Sequence, residues 1–231
     1  MKRFWKSAEA VVEGDGWGVR LDGRPLRTPG KAPLVLPSEA LALAIAGEWQ
    51  SAAEKVDPRA MPLTGLANAA IDRVAPDRPA FAADLAKYAQ GDLACYRAEG
   101  PQTLAERQAH CWDRLLGWAR RRYDVDFAVT AGIVHVDQPP ATVERLAHEV
   151  AALDAFRLAG LSPLVTVGGS LVAALAVIQG AMTAAEAWDA VSIDERWQLE
   201  KWGADAEAQT AMDNRRADFF AAASFLELLD L

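Results

Sequence analysis

The chain has 231 residues, with 24 Lys and Arg against 32 Asp and Glu, and its formal net charge is −8. Apolar residues make up 52% of the chain, and 48 residues are alanine, so a disordered chain is excluded and a mostly helical one is expected. The acidic balance argues against nucleic-acid binding, which needs clustered Lys and Arg to neutralise phosphates. The two cysteines form no CxxC pair, and the N-terminus lacks the apolar stretch of a secretory signal. We therefore expect a soluble protein of a reducing, cytoplasmic compartment.

The first 37 residues have the composition of a small β unit. They are rich in glycine and proline and carry a net charge of +3. Residues 17–21 alternate apolar with small or polar side chains, which is the period of a half-buried strand. Tight turns are predicted at residues 22–23 (Asp-Gly) and 29–30 (Pro-Gly). Residues 11–12 and 34–36 complete a predicted meander of about four short strands.

Helical spacing begins at Ser38, whose hydroxyl can accept a first-turn amide as an N-cap. Apolar residues then recur every three or four positions in residues 62–74, 104–123 and 143–153, which predicts amphipathic helices. The first of these three begins with a proline, a residue favoured at the first helical position. Residues 132–136 are the one later stretch that has the composition of a strand.

The change from alternating, strand-like spacing to helical spacing at residue 38 predicts an α+β fold class. We expect a small N-terminal β-rich (α/β) domain over residues 1–60 and a larger all-α helical domain over residues 61–231. The charge divides in the same direction, because the residues after the first 37 carry −11. The sequence contains no internal repeat and no low-complexity linker.

Residues 158–185 form a run of 28 residues without a charged side chain. A membrane-spanning helix needs about 20 apolar residues, so the length alone would allow one. Pro163, Gly168 and Gly169 dilute the hydrophobicity, however, and neither flank has the Lys and Arg cluster that orients a span. A helix that is apolar on all sides also suits the centre of a helical domain, so we expect a buried helix and no membrane span.

The sequence offers little chemistry for catalysis. His110, His135 and His148 are far apart, and none belongs to a metal-ligand pair. Cys111 follows His110 directly, and neighbouring positions of a helix point in different directions, so the two do not form a nucleophile and base. We expect no catalytic residue, no metal, no cofactor and no small-molecule substrate.

The C-terminal residues 183–231 are strongly acidic, with a net charge of −7, and contain three tryptophans, of which Trp202 is the last. Gly203 is predicted to end one helix and Asp205 to cap the next, with Glu207 in its first turn. Tryptophan at a surface is a preferred anchor of protein interfaces. Helix caps, a solvated acidic face and buried tryptophans would explain the same residues, so both interpretations stay open on spacing alone.

Motifs that occur together in one family follow each other through nearly the whole chain. The LDGRPLRTPGK run from Leu21 to Lys31 is the most specific of them. The others are Arg3-Phe4-Trp5-Lys6, Gly16-Trp17, Glu48-Trp49, MPLTGLANAAID from Met61 to Asp72, Asp92-Leu93, Tyr96-Arg97, Gln108 with Trp112, Gly169-Ser170, and Asp194…Gln198…Trp202-Gly203…Asp205…Glu207-Ala208. On these residues the chain resembles the assembly chaperones of the F-type ATP synthase that act on the α subunit of its catalytic head.

The resemblance implies a non-enzymatic chaperone that binds the free α subunit and prevents its aggregation until it pairs with the β subunit. It also implies a small β-containing N-terminal domain and a helical C-terminal domain. Eukaryotic members are mitochondrial and carry a transit peptide, whereas this chain starts almost at the RFWK motif, so we expect a bacterial, cytoplasmic member.

An acidic position in the C-terminal helical segment matters in this family, and Glu207 is the best match for it. The resemblance therefore implies partner-binding residues around it, namely Asp194, Gln198, Trp202, Asp205 and Glu207. Two alternatives are a scaffold or adaptor for a different client, and an enzyme that uses a carboxylate pair such as Asp194/Glu195 or Asp205/Glu207. The carboxylates of each pair would diverge on a helix, which disfavours the enzyme.

Overall fold

The computed structural model describes residues 2–203 and 205–231; Met1, at the start of the predicted N-terminal domain, lies outside them, as does Ala204. The expected α+β class is confirmed, because a strand-rich beginning is followed by a larger helical part. Contacts divide the chain into two compact units. The first unit comprises Met1–Arg78, Asp154–Gly160 and Ala221–Leu231, and the second comprises Pro79–Leu153 and Leu161–Phe220. A domain boundary at residue 60 stays a prediction.

Four strands form one antiparallel sheet in the first unit: β1 (Ala8–Glu13), β2 (Gly16–Leu21), β3 (Arg24–Pro25) and β4 (Val35–Leu36). The strands are found as predicted, but the meander is wrong, because β3 and β4 both pair with β2, at its end and at its start. Gly16 permits this pairing, since a Cβ there would lie 2.6 Å from the carbonyl oxygen of Leu36. Because glycine has no side chain, the backbone of β4 can approach β2 closely enough to pair with it.

Both predicted turns of the β unit are present. Asp22 and Gly23 have φ of 48° and 79°, the positive values that a type I′ hairpin turn requires at both central residues. The turn at residues 28–31 is closed by the amide of its last residue and the carbonyl of its first, 2.9 Å apart. The Asp72 carboxylate fixes this second turn, accepting from the Thr28 hydroxyl at 2.7 Å and from the turn backbone.

Two helices of the first unit are capped by side chains. α1 (Glu39–Ser51) begins as expected after Ser38, whose hydroxyl accepts from the amide of Leu41 at 3.2 Å. Glu48 of α1 accepts from two backbone amides at the start of α2 (Pro62–Ala69), each at 2.8 Å. The predicted helix over residues 62–74 is α-helical only in α2; a π turn and a 3₁₀ turn follow, because Pro76 has no amide to continue the ladder.

The core of the first unit is built around Trp5 and Trp49. The indole nitrogen of Trp5 donates to the Trp49 carbonyl at 3.0 Å, and the two rings lie 5.0 Å apart. Apolar residues from the strand region, from α1 and from the C-terminal part of the unit surround them; the largest that are fully buried are Phe225, Leu34, Leu36, Leu41 and Ile45. Since burying such a side chain contributes roughly 1.5–3 kcal/mol, this cluster accounts for the cohesion of the first unit.

The remaining elements are mostly helices. They are α3 (Arg78–Ala86), β5 (Tyr96–Arg97), α4 (Gln102–Tyr123), β6 (Thr130–Ala131), α5 (Pro140–Ala151), α6 (Ala155–Gly168), α7 (Leu171–Ile178), α8 (Ala184–Val191), α9 (Ile193–Trp202) and α10 (Ala206–Glu227). The helices expected over residues 104–123 and 143–153 correspond to α4 and α5. α6 and α10 contribute residues to both units.

The strand predicted over residues 132–136 is wrong. The short strand β6 ends one residue earlier and pairs in parallel with β5, within the second unit. Gly132, with φ of 85°, leaves the strand conformation, and Ile133 and Val134 are 98% and 73% exposed. The apolar pattern that resembled a half-buried strand belongs to an exposed loop.

The uncharged run is mostly buried over residues 158–178, as expected, but forms two helices instead of one, and its residues 179–185 are exposed or partly exposed. α6 ends at Gly168, the next residue Gly169 has a φ of 70°, and Ser170 caps α7 by accepting from the amide of Ala173 at 3.0 Å. Every residue from Leu171 to Ala176 is buried. Within residues 2–203 and 205–231, no helix has the length and the apolar character needed to cross a membrane.

A buried carboxylate fixes the start of α7. Asp92 is 0% exposed and accepts from the Ser170 hydroxyl at 2.8 Å, from the amide of Val172 at 2.9 Å and from that of Ala94 at 3.0 Å. Burial raises the pKa of Asp92, and these hydrogen bonds oppose that effect. The side chain thus joins the turn after residue 92 to the N-terminus of α7.

Replacing Asp92 with asparagine should lower the free energy of unfolding by about 2–3 kcal/mol, because the new amide group turns a donor toward neighbouring donors and leaves them unsatisfied. Urea unfolding followed by circular dichroism measures this loss. Asp84→Asn is the matched control, since the Asp84 side chain is 71% exposed and its surface ion pair with Lys87 contributes at most about 1 kcal/mol. Equal stability losses in the two variants would contradict this role of Asp92.

Candidate functional site

An open groove of about 910 Å³ lies on the second unit. One wall is a face of α9, where Asp194, Gln198 and Trp202 are spaced four residues apart and therefore point the same way. The other wall is formed by residues 96–101 and by the loop that contains Ile133. The structure thus brings three of the five predicted partner-binding residues together.

Two large apolar side chains at the rim of this groove are exposed to solvent. Trp202 is 78% exposed and Ile133 is 98% exposed. Single exposed apolar residues are ordinary, but two that line one concave surface are typical of a protein-binding site. Ile133 was missed from the sequence, because its neighbours resemble a strand and no motif marked the loop as a partner of α9.

The floor of the groove depends on the buried amide of Gln108. This residue of α4 is 2% exposed. Its nitrogen donates to the carboxylate of Asp194 at 2.7 Å, and its oxygen accepts from the backbone amide of Ala98, also at 2.7 Å. One side chain therefore holds both walls, α9 and the segment after β5, at a fixed separation.

Asp194 is a partly buried carboxylate with a neutral partner. Burial raises its pKa, the hydrogen bond from Gln108 opposes that shift, and the neighbouring charge of Glu195 adds to it. Within the described part of the chain, Asp194 forms no ion pair, whereas Glu195 pairs with Arg215 at 2.8 Å. The two adjacent carboxylates therefore face different surroundings and do not share one substrate site.

Beneath the groove, Trp197 anchors α9. It is 6% exposed, and the charged ends of Arg107 and Lys201 lie 5.0 and 4.7 Å from its ring centre. Arg107 also pairs with Glu200 at 2.7 Å. The Arg107–Trp197 contact and the Arg107–Glu200 ion pair attach α9 to α4, whereas the Lys201–Trp197 contact lies within α9.

A third cation, Arg97, lies in the opposite wall. Its guanidinium stacks over the ring of Trp112 at 5.1 Å and pairs with Asp113 at 2.8 Å. Burial lowers the pKa of Arg97, and Asp113 opposes that effect. Its charge is thus matched by a carboxylate that does not line the groove.

The other two predicted residues, Asp205 and Glu207, do not line the groove. Gly203 ends α9 with φ of 79°, as expected. The Asp205 carboxylate caps α10, as expected, accepting from the amides of Glu207 at 2.9 Å and of Ala208 at 2.8 Å. Glu207 is exposed in the first turn of α10, where a carboxylate interacts favourably with the helix dipole.

The cysteines and histidines do not assemble into a reactive site. Burial raises the pKa of Cys95 to about 12, so its thiol stays protonated and poorly nucleophilic. His135 contacts the Tyr96 hydroxyl at 3.0 Å and lies 3.3 Å from Asp137. The described residues contain no cluster of three or more His, Cys, Asp or Glu side chains that could hold a metal ion.

Both the sequence and the fold, with its strand-rich beginning and helical remainder, match those of a known class of chaperones. The family model for the ATP12 chaperone protein matches residues 2–120. The crystal structure of Atp12 from Paracoccus denitrificans is 47% identical, with a TM-score of 0.93 over 99% of this chain and 98% of that one. The Agrobacterium tumefaciens protein Atu1473 is 39% identical, with a TM-score of 0.93 over 99% and 86%.

A more distant relative is the mitochondrial protein atp12 of Schizosaccharomyces pombe, which is 24% identical over 219 residues, covering 90% of this chain and 75% of the relative. The chain belongs to the ATP12 chaperone family, and it is a chaperone of ATP synthase assembly.

The carboxyl group of Asp194 should titrate above its ordinary value of about 3.9, because burial disfavours its charged form. As the pH rises past that value, the unfolded chain loses this proton first, so the contribution of Asp194 to stability falls until the folded state has also lost it. Asp194→Asn should therefore gain stability relative to the original protein between pH 3.5 and pH 7. Carboxyl NMR titration and urea unfolding at both pH values check this; a lowered pKa would contradict it.

Proposed function

We propose that this protein binds the unassembled α subunit of the F-type ATP synthase and prevents its aggregation until it pairs with the β subunit. Membership of the ATP12 chaperone family supports the role in assembly. The observation that carries the proposal is the groove whose rim exposes Trp202 and Ile133. The protein acts by binding, without a catalytic step.

The physical requirement for such a chaperone matches this groove. An unpaired subunit exposes an apolar surface with open strand edges, and such surfaces aggregate. A few aromatic and aliphatic anchors supply most of the affinity of an interface, and a small set of them gives a complex that a larger native partner displaces. Trp202 and Ile133 are anchors of this kind, so the β subunit would be able to replace the chaperone.

The partner-binding face in this proposal combines the groove with the adjoining start of α10. Asp194, Gln198 and Trp202 provide the groove side, and Asp205 and Glu207 provide the acidic side beyond Gly203. Carboxylates beside an apolar anchor accelerate encounter with a basic partner surface. The relatives at 47% and 39% identity come from bacteria, which supports action in a bacterial cytoplasm.

Trp202→Ala should weaken capture of the α subunit by at least about tenfold, because an interface tryptophan typically contributes about 2 kcal/mol or more. The assay dilutes denatured α subunit into buffer with increasing chaperone and records light scattering. Leu43→Ala is the matched control, since Leu43 is 56% exposed on α1 of the first unit. The melting temperature of both variants should stay within a few degrees of the original protein.

The same assay tests the client itself. Wild-type protein that leaves α-subunit scattering unchanged would refute the proposed function, and a pull-down from native lysate with a different dominant partner would favour an adaptor for another client. Loss of capture in Leu43→Ala equal to that in Trp202→Ala would show that the groove is not the binding face.

Glu207→Lys should weaken capture severalfold by reversing a charge on the proposed acidic side. The cost in folding should stay below about 1 kcal/mol, because the side chain is exposed and loses only its interaction with the helix dipole. Asp213→Lys, which reverses another exposed charge of α10, is the control. If Glu207→Lys left both the fold and α-subunit capture unchanged, Glu207 would not belong to the binding face.

A further inference from the structure

We propose that the groove recognises an arginine side chain on an apolar segment of its protein partner, with Asp194 receiving the guanidinium and Trp202 covering the aliphatic stem. This inference rests on the proposed function for the kind of partner, a protein. It adds the chemistry by which that partner is selected.

The first argument is the unmatched charge of Asp194. Its carboxylate receives a hydrogen bond from the neutral amide of Gln108 and, within the described part of the chain, forms no ion pair. Placing a carboxylate partly out of water costs free energy unless a cation or several donors compensate for it. A cation that enters the groove would supply this compensation.

The second argument is that the cations already lining the groove are engaged elsewhere. The guanidinium of Arg97 pairs with Asp113 at 2.8 Å and stacks on a tryptophan. The ammonium of Lys201 lies 4.7 Å from the ring centre of Trp197. Glu99 lines the same groove and adds a second negative charge. The lining thus has two cations and two carboxylates, but neither cation forms an ion pair with Asp194, which leaves this carboxylate for a cation supplied by the partner.

The third argument is the layered order of polar and apolar groups. Asp194 lies at the floor, attached to buried Gln108, whereas Trp202 and Ile133 are exposed at the rim. Asp194 and Trp202 are eight residues apart on α9, which is about 12 Å along the helix, and side chains of a helix lean toward its N-terminus. A long side chain with an apolar stem and a charged head matches this order.

Arginine fits these groups better than lysine. Its planar guanidinium has five donors, so it can bind the Asp194 carboxylate and still donate to the side-chain oxygen of Gln198, which lies between Asp194 and Trp202 on the same face. Arginine also stacks on tryptophan and sheds its hydration more readily than an ammonium. A volume of about 910 Å³ leaves room for apolar neighbours of the arginine against the rim.

The test titrates a matched pair of acetylated, amidated pentapeptides into the full chain and follows the indole N–H signals by NMR. One peptide has the sequence threonine–valine–arginine–valine–threonine, and the other replaces arginine with citrulline, which has the same shape without the charge. The arginine peptide should shift the Trp202 signal and bind at least about tenfold more tightly than the citrulline peptide. Asp194→Asn should remove that difference, whereas Asp84→Asn, an equal charge change at an exposed site, should retain it.

Trp202→Ala provides a second variant, which should weaken the arginine peptide severalfold. Equal binding of the two peptides to the original protein, or an arginine preference that survives in Asp194→Asn, would overturn the inference. Capture of the α subunit by a protein that shows no arginine preference would overturn the inference and leave the proposed function standing. An Asp194-dependent arginine preference in a protein that does not capture the α subunit would support the inference and refute the proposed client.

Discussion

The buried amide of Gln108 is the constraint on which the candidate site depends. Its nitrogen donates to the Asp194 carboxylate, and its oxygen accepts from the backbone amide of Ala98. Because Asp194 lies on one wall of the groove and Ala98 on the other, the Gln108 amide sets the width of the groove and the orientation of Asp194. A buried amide left without either partner would cost more than the bond contributes, so the arrangement is held in one geometry.

Other motif residues serve the fold in the same way, through side chains that satisfy backbone groups far along the chain. In the first unit, Glu48 receives the amides at the start of α2, and Asp72 holds the turn at residues 28–31. In the second unit, the Asp92 carboxylate accepts from the hydroxyl of Ser170, the cap of α7, and from the amide of Val172. These carboxylates give the family motifs a structural role, since each position needs an acceptor of a particular length.

The groove departs from this pattern of satisfied groups. Trp202 and Ile133 stay exposed although they would contribute more to stability if buried, and Asp194 is partly buried without a cation. Local departures of this kind, in a chain whose other buried carboxylates have several donors, are typical of sites that bind a partner. The occupant that we propose, an apolar segment that carries a positive charge, would cover the two exposed side chains and pair with Asp194.

Local sequence patterns by themselves determined the two tight turns, the Ser38 cap, the four strands, most of the helices and the cap at Asp205, because each depends on neighbouring residues. The motifs along the chain also determined its family. Only the tertiary structure decided that β4 pairs with β2, that the uncharged run breaks at Gly169, and that the loop at Ile133 lies opposite α9. Pairing of this kind depends on contacts between residues far apart in the chain. No periodic pattern in the sequence indicates that Gly16 lets β4 approach β2, or that Gln108 forms hydrogen bonds with both walls of the groove.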